Sequence, residues 1–134
     1  MINIGIWLDK NKAFIVTLTE EIEVFETITS NVENFHIHGG SGTRFKGGPQ
    51  DVVQDSKYLE REKHQFKVYF KELASEIKEA DGILIFGPAE VKDKFKKELE
   101  ILYEDINAKV KDVQTADSMT ENQVKAWVRD YFEL

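Results

Sequence analysis

The residue types best suited to binding or catalysis are concentrated in one stretch, His36–Asp51, with the sequence HIHGGSGTRFKGGPQD. This stretch holds five of the 8 glycines of the chain, together with the cationic side chains of Arg44 and Lys46. Glycine allows a backbone to approach a ligand closely and to adopt positive φ angles. The stretch is therefore the first candidate for a binding or catalytic loop, and the alternative is an exposed connection without a ligand.

The familiar phosphate-binding motifs do not fit this stretch. GGSGTRFKGG lacks the Gly-Lys-Ser/Thr ending of a P-loop and the glycine spacing of the dinucleotide fingerprint. A second place for an anion is FGPAEVKDKF, where Gly87 comes just before a predicted helix and leaves backbone amides free. An ordinary capped turn between a strand and a helix explains the same residues.

The histidines and one serine allow two further kinds of site. His36 and His38 point the same way if the chain is extended there, as metal ligands could. The third histidine, His64, falls in a predicted helix without an acidic partner at a diagnostic spacing. Ser41 lies near His38, but no GxSxG motif surrounds it. We predict neither a metal site nor a cofactor, and take His36 and His38 as polar side chains at a strand end.

Composition limits the kinds of partner. The chain has 134 residues, a net charge of −7 and no cysteine, which excludes disulfides and thiolate chemistry. An acidic balance argues against a DNA duplex as partner. The first residues do not form a signal peptide, and no run of about 18 apolar residues predicts a membrane span. The absence of cysteine fits a reducing compartment, and we expect a cytoplasmic protein.

Three short segments with alternating polarity come before the glycine-rich stretch. Ile2–Leu8, Ala13–Thr19 and Ile22–Thr29 are joined by tight turns, which predicts an antiparallel meander. The next residues, Ser30–Gln54, show no period and form a long glycine-rich loop. Connections of this length are uncommon in compact domains and are often functional.

Helical periodicity begins after the loop. Asp55 or Ser56 can cap a helix that runs to about Ala80. Five apolar residues share its predicted buried face: Leu59, Phe66, Phe70, Leu73 and Ile77. The apolar run Ile83–Phe86 predicts a buried strand, and Pro88 is expected at the first position of a second helix.

The last third of the chain repeats this alternation. The second helix has an apolar stripe of Val91, Phe95, Leu99 and Leu102, and Lys109–Thr115 predicts another strand. Ser118 with Glu121, overlapped by Thr120 with Gln123, offers a capping box for a final helix. The order β-β-β-α-β-α-β-α predicts one α/β domain over residues 1–134, with a mixed five-stranded sheet and helices on its faces.

The chain resembles the middle domain of the class 1 translation release factor of eukaryotes and archaea, and the matching domain of Pelota. In that family a loop ending in Gly-Gly-Gln is followed by a long helix, an apolar strand, a Gly-Pro turn and a helix with a Lys-x-x-Phe-like pattern. The counterparts here are Gly47-Gly48-(Pro49)-Gln50, Tyr58–Ala80, Ile83–Phe86, Gly87-Pro88 and Lys92–Phe95. A chain of this size looks like a stand-alone relative.

The resemblance implies a function in translation. It implies action on ribosomes or peptidyl-tRNA, by ester hydrolysis or by tRNA-directed rescue. Gln50 would place a water molecule against the peptidyl-tRNA ester, Gly47 and Gly48 would shape the loop, and Arg44 and Lys46 would meet RNA phosphates. Such a site needs no metal or cofactor.

The sequence departs from the family pattern at one position. Pro49 stands between Gly48 and Gln50, restricts the backbone of Gly48 and removes one N–H donor. Together with the acidic charge, this insertion favours an alternative hypothesis. In that alternative the protein is a non-enzymatic interaction domain with this fold, and the loop binds a protein or a second copy in a homo-oligomer.

Overall fold

The computed structural model describes the backbone of residues 1–32 and 48–132, and the side chains of residues 1–32 and 57–132. These residues form one five-stranded sheet. Its strands are β1 (Asn3–Leu8), β2 (Lys12–Leu18), β3 (Glu23–Thr29), β4 (Gly82–Gly87) and β5 (Val110–Thr115). The spatial order is β3-β2-β1-β4-β5. The first three strands pair antiparallel, whereas β4 runs parallel to both β1 and β5, so the predicted mixed sheet is confirmed.

Helices cover both faces of this sheet. Within the described residues they are α1 (Gly48–Ile77), α2 (Val91–Leu102), α3 (Glu104–Asn107) and α4 (Glu121–Phe132). The predicted order of strands and long helices is confirmed. The one-turn helix α3 was not predicted, because its four residues, EDIN, are too few to show a period.

Two hydrophobic clusters hold the layers together. The first lies between α1, α2 and one face of the sheet, and includes Ile6, Phe70, Leu73, Ile85 and Phe95. The second lies between α4 and the other face, and includes Trp7, Phe14, Phe86, Val124 and Val128. Alternate residues of β1 and β4 contribute to both clusters, which explains why these central strands are apolar throughout.

Helix α4 packs very close to β1. A Cβ atom built on Gly5 would lie 2.3 Å from Cγ2 of Val128, so any larger residue here would force Val128 or α4 to move. The start of α4 is held by the second of the two predicted capping boxes. The Thr120 N–H donates to Oε1 of Gln123 over 2.9 Å, and the Gln123 N–H donates to Oγ1 of Thr120 over 3.2 Å.

Two predicted helix starts were wrong. Helix α1 begins at Gly48 and not at Asp55 or Ser56. The first turn of a helix tolerates Pro49, because its amides have no partner within the helix. Helix α2 begins at Val91 and not at Pro88. The φ angles of 152° at Gly87 and 52° at Ala89 are not helical, so Pro88 lies in the turn.

Two predicted core residues lie at the surface. Leu59 of α1 is 57% exposed and Leu102 of α2 is 53% exposed. Both were assigned to buried faces because they continue the apolar period of their helices. A helical period shows which side of a helix is apolar, but it does not show whether another element covers that side along its full length.

None of the helices in the described ranges, 1–32 and 48–132, is both long enough and apolar enough to cross a membrane.

Candidate functional site

The candidate site is built on the turn between β1 and β2. Oδ1 of Asp9 accepts the N–H groups of Asn11 over 2.8 Å and of Lys12 over 2.9 Å, which fixes the turn. The turn follows the carboxyl end of β1, next to the end of the parallel strand β4. Open α/β sheets commonly carry their functional sites beyond the carboxyl ends of parallel strands.

The chain leaving β3 is attached to this turn. The Ser30 N–H donates to the carbonyl of Asn11 over 2.9 Å, and the Ser30 hydroxyl donates to the carbonyl of Lys10 over 2.5 Å. The same hydroxyl oxygen accepts the N–H of Val32 over 3.1 Å. Ser30 and Val32 are both buried, so the position at which residues 33–47 begin is fixed by packing as well as by hydrogen bonds.

Helix α1 is attached to the same turn by a network of three side chains. Nζ of Lys10 lies 3.1 Å from the hydroxyl oxygen of Tyr58 and 2.7 Å from Oε2 of Glu62. The Tyr58 hydroxyl in turn donates to Oε2 of Glu62 over 2.8 Å. Tyr58 is buried, and the side chains of Lys10 and Glu62 are only 30% and 19% exposed.

The network keeps both charged members ionised. Burial alone would lower the pKa of Lys10, but its hydrogen bonds to Glu62 and Tyr58 outweigh that effect and raise the pKa. Burial alone would raise the pKa of Glu62, but the hydrogen bonds from Lys10 and Tyr58 bring it below its ordinary value. An ion pair that shares hydrogen bonds with a phenol hydroxyl therefore links the turn to α1.

One turn of the sheet is thus attached to Ser30, at the start of the glycine-rich segment, and to Tyr58, four residues after its end. Further along α1, the Tyr69 hydroxyl donates to the carbonyl of Asp9 over 3.1 Å, and burial raises the pKa of this phenol, which keeps it protonated. From Tyr58 back to Gly48 the helix continues for ten residues, or about 15 Å along its axis. The start of α1 therefore projects from the level of the turn.

Two of the predicted catalytic residues lie at this projecting end. Gly48 and Gln50 are in the first turn of α1, where the structure describes their backbone. Gly47, Arg44 and Lys46 lie outside the described residues. Their assigned roles, and that of the Gln50 side chain, stay predictions.

The histidines and Ser41 give no further site among the described residues. His36, His38 and Ser41 lie outside them. His64 is on the exposed surface of α1. Within residues 1–32 and 57–132, no group of three or more histidine or acidic side chains is arranged to hold a metal ion.

Sequence reasoning missed Lys10, Tyr58 and Glu62 as members of the site. Lys10 was assigned only to a tight turn, and Tyr58 and Glu62 only to a helix with mixed charge. The pairing of Lys10 with Tyr58 spans 48 positions of sequence, and no local pattern indicates it. It follows from the crossover that brings α1 back over the β1–β2 turn.

Comparison with known proteins finds solved structures with a similar fold. The chain is similar to the Pelota protein of Thermoplasma acidophilum, with a TM-score of 0.57 and 16% sequence identity over 96% of this chain and 32% of that chain. It is similar to an archaeal translation termination factor, with a TM-score of 0.52 and 12% identity over 98% of this chain and 39% of that chain.

A third similar structure is the Pelota protein of Archaeoglobus fulgidus, with a TM-score of 0.52 and 9% identity over 96% of this chain and 31% of that chain. The chain thus spans about a third of the length of each of these proteins. No protein-family model and no curated protein sequence matches the chain. The predicted resemblance to the middle domain of release factors and Pelota is confirmed at the level of the fold.

Proposed function

We propose that the protein is a release-factor-like protein that acts on ribosomes or peptidyl-tRNA through the glycine-rich segment, residues 30–54. The observation that carries this proposal is the fold, which is similar to that of an archaeal translation termination factor over 98% of the chain. The geometry of the site supports it. A projecting helix start, held at its base by the Lys10–Tyr58–Glu62 network, suits a segment that must reach into a partner.

In this proposal Gln50 orients a water molecule against the ester of peptidyl-tRNA. A side-chain amide has both a donor and an acceptor, so it can hold a water molecule and polarise it without being a base. Gly47 and Gly48 let the backbone come close to the ester, and Arg44 and Lys46 pair with RNA phosphates. The ester bond breaks as the water oxygen bonds to the peptidyl carbonyl carbon, and the tRNA ribose oxygen takes up a proton.

The test is a release assay on ribosomes that carry labelled peptidyl-tRNA. Loss of one positioned hydrogen-bonding group typically costs about a hundredfold in rate, so Gln50→Ala is expected to reduce release by that order. Asn122→Ala, which removes an exposed side-chain amide from α4, is the matched control and is expected to keep the wild-type rate. The catalytic proposal fails if wild type releases no peptide, or if both variants release it equally fast.

A second candidate function is that of a non-enzymatic interaction domain. The observation that favours it is Pro49, which lies in the first turn of α1 and supplies no N–H donor next to Gln50. Co-sedimentation separates the two functions. Ribosome association that is lost on deleting Gly39–Gly48 supports the first function, whereas a stable dimer that never associates with ribosomes supports the second.

A further inference from the structure

An open groove runs between α1 and α2 on the outer surface of the helical layer. Its floor is aromatic: Phe66 and Phe70 are 8% and 3% exposed, and their rings lie 5.4 Å apart. Leu59 and Ile101 also line it and are far more accessible, with 57% and 64% of their surface exposed. The groove has a volume of about 340 Å³.

The two exposed residues lie at opposite ends of the groove. Lys94 of α2 lies 5.2 Å from the ring centre of Phe66 of α1, so these two residues are at the same level. Helix α1 connects β3 to β4, helix α2 connects β4 to β5, and these three strands all point the same way. The two helices therefore run in the same direction as each other. Leu59 comes seven residues before Phe66 and Ile101 seven residues after Lys94, so they are separated by about 20 Å along the helices.

The rim of the groove is basic, although the chain carries a net charge of −7. Four lysines line it, two from each helix: Lys63, Lys67, Lys94 and Lys97. Two glutamates also line it, and one of them, Glu62, already pairs with Lys10 at 2.7 Å. Among the described residues, no acidic side chain forms an ion pair with Lys63, Lys67 or Lys97.

We propose that this groove binds an amphipathic helix of a partner protein, with an apolar spine and acidic residues along both sides. An apolar floor with exposed apolar ends is complementary to an apolar occupant, and lysines without an ion-pair partner on both walls are complementary to negative charge on both flanks. A small molecule would not span Leu59 and Ile101. A helix of about 14 residues covers 20 Å and places an apolar residue on the floor at every turn.

The test uses a fluorescein-labelled synthetic helix of about 16 residues, with leucines at helical spacing i, i+4, i+7 and i+11 and glutamates on both flanks. Fluorescence anisotropy measures its binding to the full chain. Two control peptides replace the glutamates with lysines or the leucines with serines. Saturable binding of the acidic apolar peptide, with neither control peptide binding, is the expected result.

Protein variants then locate the binding. Lys67→Glu with Lys97→Glu reverses charge on both walls, and Leu59→Ser with Ile101→Ser removes both apolar ends; each pair is expected to weaken binding by about tenfold or more. Matched controls outside the groove are Lys71→Glu and Val68→Ser, at exposed positions of the same helix α1. They are expected to bind the peptide like wild type. All of these positions are exposed, and thermal unfolding checks that each variant folds.

A labelled single-stranded RNA of similar length supplies the opposing outcome. The groove is an RNA contact, and the proposal is wrong, under three conditions together. The RNA binds the wild-type protein, the Lys67→Glu, Lys97→Glu variant binds it more weakly, and the acidic peptide does not bind. Equal binding of the acidic and basic peptides also overturns it. The assay contains no ribosome or peptidyl-tRNA, so its result is independent of the release assay.

Discussion

Single glycines have two kinds of role in this chain. In the sheet they allow elements to pack closely, as at Gly5 beneath Val128 and at Gly87, where an added Cβ would lie 2.3 Å from the carbonyl oxygen of Leu8. In the stretch His36–Asp51 they are concentrated beside Arg44 and Lys46, where the proposed function requires a backbone that approaches RNA. The first role belongs to stability, and the second belongs to the proposed activity.

The packing role leads to a prediction for Gly5→Ala. The new methyl group would overlap Val128 and push α4 away from β1, and overpacking of this kind typically costs about 1–3 kcal/mol of the free energy of unfolding. Denaturant unfolding measures this cost. The matched control is Gly82→Ala, where the nearest atoms are 3.0 Å away or more and belong to side chains of Asn3, Lys111 and Phe132 that can move.

A second substitution tests the cause of that loss. Shortening Val128 to alanine in the Gly5→Ala background removes both Cγ atoms that overlap the new methyl group. The double variant is therefore expected to lose less stability than the sum of the two single changes. Simple additivity of the two losses would show that the overlap with Val128 is not the cause.

At the scale of elements, α1 is the part of the fold that connects the core to the candidate site. Its second half is buried in the first hydrophobic cluster through Phe70, Leu73 and Ile77, and its first half is attached to the β1–β2 turn through Tyr58 and Glu62. The ten residues from Gly48 to Lys57 extend beyond that attachment. The direction in which the helix start points therefore depends on the network at its base.

This dependence predicts a measurable coupling between Lys10 and Glu62. The pair is partly buried, and we expect a double-mutant cycle with Lys10→Met and Glu62→Gln to give about 1 kcal/mol at pH 7. The more exposed pair Lys96 and Glu100 of α2 is the control, and its coupling is expected to be smaller. Hydrogen exchange of the α1 amides next to Tyr58 is expected to speed up in Lys10→Met.

The coupling should be lost at acidic pH. The pKa of Glu62 lies below its ordinary value of 4.5 in the folded protein, so the pair stabilises the fold above that pH. The contribution is lost as the pH falls through the lowered pKa and the carboxylate is protonated. A coupling that stays unchanged well below the lowered pKa would contradict the assignment of this contact as an ion pair.

At the scale of the whole molecule, the chain on either side of the glycine-rich segment is attached to the sheet at fixed points. The chain leaves the sheet at Ser30 and returns to it at Tyr58, and both residues bond to the turn that contains Lys10. Since the two ends are held by the sheet itself, the segment between them is not needed to bring them together. Activity and stability can therefore be changed independently.

That separation predicts the outcome of deleting Gly39–Gly48. The unfolding midpoint is expected to stay within about 4 °C of wild type, because a shorter connection costs slightly less loop entropy and the change is well under 1 kcal/mol. Thermal unfolding followed by circular dichroism measures it. A variant with ten Gly/Ser residues in place of Gly39–Gly48 controls for length. Loss of a cooperative transition in both would show that the segment is part of the fold.

The sequence by itself determined the elements of this protein and their order. Alternation of polarity identified β1 to β3, helical period identified α1, α2 and α4, and the apolar run Ile83–Phe86 identified the central strand β4. These signals are local, because each is the spacing of apolar residues within a single element, on the side that faces the core. The order of elements and Gly47-Gly48-Pro49-Gln50 were also enough to suggest the release-factor fold.

Only the tertiary structure decided which residues meet across the sequence. Two contacts join elements that are distant in the chain: Tyr58 bonds to Lys10, and Val128 packs on Gly5. The exposure of Leu59 at the groove likewise depends on which elements lie next to it. The start of α1 at Gly48 also went unpredicted, because glycine and proline are poor helix formers and sequence patterns place loops there. Local patterns specify which face of an element is apolar, whereas the crossover of α1 over the sheet determines what that face contacts.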